Sequence, residues 1–201
     1  MATMLQKEIK AGGKALLDID DAAHRVCQPY ADTLPIKVLD VVSKIGDQPE
    51  LRTLSAAMMA IGTFGANDRL VRAGARMMIA HEAATVAKGL LKTNVDRTRP
   101  RSANGRDEKK PRKGKHKAKE LSSFPSGHSA GAIAAARAFS REFAEYGPAA
   151  VGAALFIALL QIPRCAHYPT DVAAGLLIGL AAEAMVDAGW QAVEMDERSA
   201  S

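Results

Sequence analysis

Aromatic side chains are scarce in this sequence: one Trp, three Tyr and five Phe among 201 residues. A β-sandwich needs more aromatic and β-branched residues than that, whereas the plentiful Ala, Leu and Gly suit closely packed helices. Cysteine is almost missing too. Cys27 and Cys165 stand far apart with no CxxC spacing, which argues against a disulfide framework or a zinc site. The first 25 residues include Lys7, Glu8, Lys10, Lys14, Asp18, Asp20 and Asp21 and hold no apolar core of signal-peptide length, so simple secretion is not expected. Long hydrophobic runs are also lacking. The most apolar stretch, 149–162, has 14 residues, and Val172 to Ala182 gives 11 before Glu183 interrupts. A spanning helix needs about 18–20. Hydropathy therefore leaves two readings open, a soluble or peripheral bundle and a thin multi-pass protein.

The charge that is present is concentrated. Residues 101–119 hold nine Lys and Arg against Asp107 and Glu108, so this segment carries +7 and the rest of the chain −2. Three readings apply to such a run: a solvated, disordered insertion, a polybasic segment drawn to anionic lipid headgroups, or a field that concentrates a phosphorylated substrate. No aromatic residues are interleaved for base stacking, so nucleic acid is not an expected partner. In a membrane protein the positive-inside tendency would put this loop on the cytoplasmic side.

Apolar periodicity predicts an all-α fold, a bundle of six or seven helices without internal repeats. The expected helices cover 3–27, 36–46, 51–66, 69–97, Pro125 to about Tyr146, 149–162, and Pro169 to about Gly189. Breaks fall at Gln28-Pro29, at Gly46-Asp47-Gln48-Pro49, at Asn67-Asp68, at Pro100 and at Gly147-Pro148. The organisation expected is an N-terminal amphipathic part (1–48), a catalytic bundle (49–190) containing the basic loop 101–119, and a frayed tail (191–201).

Three clusters at helix boundaries can carry chemistry. Lys92 is followed after six residues by Arg99-Pro100. Pro125-Ser126-Gly127-His128 opens the next helix. Arg164-Cys165-Ala166-His167-Tyr168-Pro169-Thr170-Asp171 joins the last two. A transferring phosphoryl group bears negative charge on three equatorial oxygens, so its catalysis is mainly positioning, positive charge and N–H donors. Lys92 offers a point charge and Arg99 a planar fork. Pro125 at a helix start leaves the amides of Ser126, Gly127 and His128 for an anion, and the Ser126 hydroxyl can add a bond. His167 precedes Pro169, and Asp171, in the first helical turn, can reach back to one imidazole nitrogen and leave the other free to attack. Each residue also has a plain role: Lys92 and Arg99 as C-terminal helix cations, Asp171 as a capping charge, Cys165 as a small wall residue.

Together and in this order, the three clusters resemble the type 2 phosphatidic acid phosphatase (PAP2) family, also called the acid phosphatase–vanadium haloperoxidase superfamily, over residues 50–190. The resemblance implies a helical bundle of that type and a phosphatase working through a phosphohistidine. In it His167 is the nucleophile, Asp171 its partner and His128 the general acid. Lys92, Arg99, Ser126 and Gly127 bind phosphate, with no metal ion or other cofactor. A lipid phosphate or lipid pyrophosphate is the expected substrate, at a bacterial-type inner (cell) membrane with several passes. The alternatives are a soluble, cytoplasmic phosphatase for small phosphate esters and a non-catalytic anion-binding protein. One position departs from the pattern. The family usually has an arginine six residues before the nucleophilic histidine, preceded by serine; here Gln161 and Leu160 stand there. Arg164, three residues before His167, is the candidate replacement, since three residues is close to one helical turn. The sequence leaves the oligomeric state open.

Overall fold

The computed structural model describes residues 2–103, 105, 108–114 and 118–200. Among these are seven α-helices: α1 (Ala2–Cys27), α2 (Leu34–Ser43), α3 (Gln48–Phe64), α4 (Asp68–Lys92), α5 (Gly127–Glu142), α6 (Gly147–Leu160) and α7 (Pro169–Ala200). The fold is the all-α bundle that the apolar periodicity predicts.

Helix α5 runs through the middle and touches α4, α6 and α7. Such a position demands an apolar surface all round. Its sequence supplies one from small residues: Ala130, Gly131, Ala132, Ala134, Ala135 and Ala138 are buried. Small side chains let the backbones approach closely. On α7, a Cβ at Gly175 would collide with the Ser126 carbonyl and one at Gly179 with the Ala130 carbonyl. This stripe brings the start of α7 against the start of α5, which is where His128 and His167 stand. Leu51, Met77 and Ala182 complete the main core.

At the opposite end the charges are paired. Arg76 contacts Glu142 (3.0 Å) and Asp187 (2.8 Å), and Arg141 contacts Glu183 (2.7 Å) and Asp187 (3.2 Å). Helix α7 continues past Gly189 to Ala200, beyond the expected end. Trp190 Nε1 donates to Glu194 at 2.8 Å, Gln191 donates to Asp187 at 2.8 Å, and the Arg76 guanidinium lies 4.5 Å from the centre of the Trp190 ring. These contacts hold as helix the residues expected to fray.

Helix α4 stops at Lys92, short of the expected residue 97. Val95–Asp96 (β1) then pairs antiparallel with Arg112–Lys113 (β2), so part of the basic loop is a clipped hairpin instead of a free insertion. Lys109 is buried against Asp21 of α1 at 3.0 Å. Arg106, Asp107, Lys115, His116 and Lys117, and the side chain of Lys119, lie outside the described residues. Among the described residues one helix, Pro169–Ser199 within α7, is long and apolar enough to cross a membrane by length and composition.

Candidate active site

Lys92, Arg99, Gly127, His128 and His167 line one cavity of about 240 Å³ at the end of the bundle. Each comes from a helix terminus or the segment just beyond it. Such ends leave backbone amides and carbonyls without helical partners, and here those groups orient the side chains.

His167 is buried in the turn between α6 and α7. That turn is held by the Gln161 carbonyl, which accepts the N–H of Ala166 at 3.1 Å and of His167 at 3.2 Å. Nδ1 of His167 lies 2.7 Å from the Ser123 carbonyl oxygen. A carbonyl only accepts, so Nδ1 carries the proton and Nε2 keeps its lone pair. Burial, with Arg99 and Lys92 nearby, holds the imidazole well below its ordinary pKa, so the ring is neutral at neutral pH.

Asp171 does not hold the ring directly, contrary to the reach-back expected from the sequence. Its Oδ2 is 3.9 Å from Nδ1. That oxygen instead accepts the Ser123 hydroxyl at 2.6 Å and the Tyr168 N–H at 3.0 Å, while Oδ1 accepts from Arg97 at 2.5 Å. The carboxylate caps the first turn of α7 and fixes Ser123, whose carbonyl then sets the tautomer of His167. Pro169 forces the preceding backbone to extend, which turns His167 toward the Ser123 carbonyl and away from its own helix.

Ser126 has a role beyond the expected one. It is fully buried, caps α5 and accepts from the Ser129 hydroxyl at 2.8 Å and the Ser129 N–H at 3.4 Å; its own N–H donates to the Asp171 carbonyl at 3.0 Å. The Phe124–Pro125 peptide preceding it is cis. The first-turn amides that remain are those of Gly127 and His128. His128 Nε2 stands 2.6 Å from Asp47 Oδ1. Burial lowers the pKa of His128 below its ordinary value, and the Asp47 carboxylate opposes that.

Lys92 donates to the Ser122 carbonyl at 3.0 Å, and its pKa is lowered to about 8, first by burial and then by Arg99 and Lys88. Arg99 reaches the Ala166 carbonyl at 3.5 Å. Arg164 stands apart from this cavity. Its guanidinium bonds Asp40 and Ser43 of α2 and, at 2.9 Å, Gln161 Oε1, and it lines a neighbouring cavity of about 680 Å³. The two cavities share Asp47, Arg99 and His128. Arg164 is drawn to α2 because the α6–α7 turn is not helical: Cys165 sits at φ 52°, in the left-handed region, so helical spacing does not apply to it. Gln161 is buried and donates to the Ile157 carbonyl at 3.0 Å.

A family model for the PAP2 superfamily matches residues 73–191, more than half the chain. This protein belongs to the PAP2 superfamily. Over 57 residues it is 42% identical to proteins described as lipid A 1-phosphatase in Rhizobium etli and Rhizobium johnstonii. That stretch is 28% of this chain and 25% and 23% of theirs, so the match spans about a quarter of the length of these curated relatives. No solved structure matches.

Four residues around this candidate site lie outside the three sequence clusters. Ser123 and Arg97 lie within a few residues of the motifs, and Lys88 is one helical turn before Lys92, a spacing that does signal a shared face. Asp47 left no local signal. It reaches His128 because Gly46 packs tightly on Ile157, and that contact is purely tertiary.

Proposed function

We propose that this protein is a phosphatase that hydrolyses a phosphate monoester or pyrophosphate of a lipid through a phosphohistidine, without a metal ion. In the first step His167 Nε2 attacks phosphorus. The bond from phosphorus to the leaving oxygen breaks, and His128 gives that oxygen its proton. In the second step water attacks phosphorus on the opposite side, His128 takes the water proton, and the N–P bond breaks to free phosphate and His167. The Nδ1–H to Ser123 bond steadies the ring while it carries the phosphoryl group. Lys92, Arg99 and the amides of Gly127 and His128 offset the charge on the equatorial oxygens.

The observation that carries this reading is the pairing of imidazoles on one cavity. One is neutral, with its tautomer set by a carbonyl; the other faces a carboxylate that favours its protonated form against the burial that lowers its pKa. The lipid substrate is supported by the similarity to two lipid A 1-phosphatases and by α7, whose apolar Leu177, Leu180 and Met185 are exposed. The same observations support a membrane location with α7 as an anchor. The test is hydrolysis of p-nitrophenyl phosphate and phosphatidate in EDTA, with rapid acid and alkaline quenching to find an acid-labile, alkali-stable phosphoenzyme. His167→Ala is expected to lose about 10³-fold or more in kcat. Undiminished turnover by that variant would overturn the mechanism. Phosphate binding by the unaltered protein without any turnover would favour a binding protein instead.

A further inference from the structure

The small cavity contains a cation that the mechanism above does not use. Lys88 stands one turn before Lys92 on the same side of α4, and its chain extends under the start of α5, where a Cβ on Gly127 would be 2.7 Å from its Nζ. The other cations nearby are occupied: Lys92 by the Ser122 carbonyl, Arg99 by the Ala166 carbonyl, and Arg164 by Asp40, Ser43 and Gln161. Lys88 makes no hydrogen bond and no ion pair among the described residues; Asp47 and Glu82 act on it only through space. An ammonium held partly out of water with no direct hydrogen-bonded partner is unfavourable. It is relieved when an anion arrives. The amides beside it at Gly127 and His128 are anion donors too, so a compact, multiply charged oxyanion fits this corner.

We propose that Lys88 is a phosphate-binding residue of this site, gripping one equatorial oxygen of the phosphoryl group together with the first-turn amides of α5. It supplies the third cation beside Lys92 and Arg99, the place that Arg164 leaves open by turning to α2. The role rests on the phosphatase reading, because a phosphoryl group must occupy the cavity for the ammonium to meet it. It extends that reading to a residue outside the three motifs.

The experiment uses the full chain with Lys88→Met and Lys88→Arg. Equilibrium binding of radiolabelled inorganic phosphate is measured alongside turnover of p-nitrophenyl phosphate and the melting temperature. Lys88→Met is expected to weaken phosphate binding about 10-fold and lower kcat/KM about 100-fold, with no fall in melting temperature. Lys88→Arg restores most of the binding. Wild-type binding and turnover in Lys88→Met overturn the proposal. So does a loss that Lys88→Arg does not restore and that comes with a lower melting temperature, since that is a packing defect. Lys88-dependent phosphate binding in a wild-type protein without turnover upholds Lys88 and overturns the phosphatase reading. Absence of both phosphate binding and turnover in the wild type overturns both.

Discussion

Protonation decides what each side chain in the cavity can do. His167 must be neutral to attack, and burial beside two cations keeps it so. Lys92 must be charged to hold phosphate, yet the same burial brings its pKa down to about 8. Below that value the ammonium persists; as pH rises through it, the cation is lost. The expected pH–rate profile for p-nitrophenyl phosphate therefore falls first as the proton donor His128, whose pKa burial lowers, loses its proton. It then steepens in a second limb near pH 8, where the Lys92 ammonium is lost and kcat/KM falls about a further tenfold per unit. Lys92→Arg should move that limb upward by more than about one unit, because guanidinium keeps its proton throughout. A limb that stays in place would assign it to another group.

Elements are placed here by the smallness of their contact residues more than by bulk. Helix α7 can lie on α5 only because Gly175 and Gly179 face the carbonyls of Ser126 and Ala130. A branched side chain there has no room to relax, since its neighbour is backbone. Gly179→Val is expected to destabilise the protein by about 2–3 kcal/mol in urea denaturation. Gly152 in the interior of α6 is the contrast, with nothing within 4 Å of a Cβ. Gly152→Ala should stabilise by about 0.5–1 kcal/mol through helix propensity and unfolded-chain entropy.

The molecule as a whole is tied together at Arg97. Its guanidinium bonds Asp20 of α1 (2.5 Å), Asp171 of α7 (2.5 Å), the Thr170 hydroxyl (2.8 Å) and the Lys109 carbonyl (2.6 Å), and lies 4.1 Å from the centre of the Tyr168 ring. One side chain thus joins the N-terminal helix, the basic loop and the frame that orients His167. Arg97 and both carboxylates are almost wholly buried. Removing the cation strands two carboxylates, so Arg97→Met should cost about 3–5 kcal/mol, read by thermal or urea unfolding, and should lower kcat as Ser123 loosens. Breaking the exposed Arg52–Glu82 pair should cost little by the same measurement, because both groups are already solvated.

Helices, their breaks and the histidine, lysine and arginine positions were legible because those signals are local. Prolines and glycines stop helices by backbone sterics, and apolar spacing marks a buried face whatever lies opposite. The length of α7 was not, because Trp190, Gln191 and Arg76 act across helices or over several turns. Nor were the partners of the site. Asp171 looked like the natural anchor for a histidine four residues away, but Arg97 and Ser123 compete for its oxygens. Arg164 looked like a phosphate ligand, but Asp40 claims it from a helix 124 residues earlier. Sequence alone determined an α-helical chain with two imidazoles and several cations at helix ends. Which carbonyl sets a tautomer, which carboxylate faces His128 and which lysine is left without a direct partner were decided only by tertiary packing. Hydrogen bonds and charges act over a few ångströms of space, and chain spacing does not encode that distance.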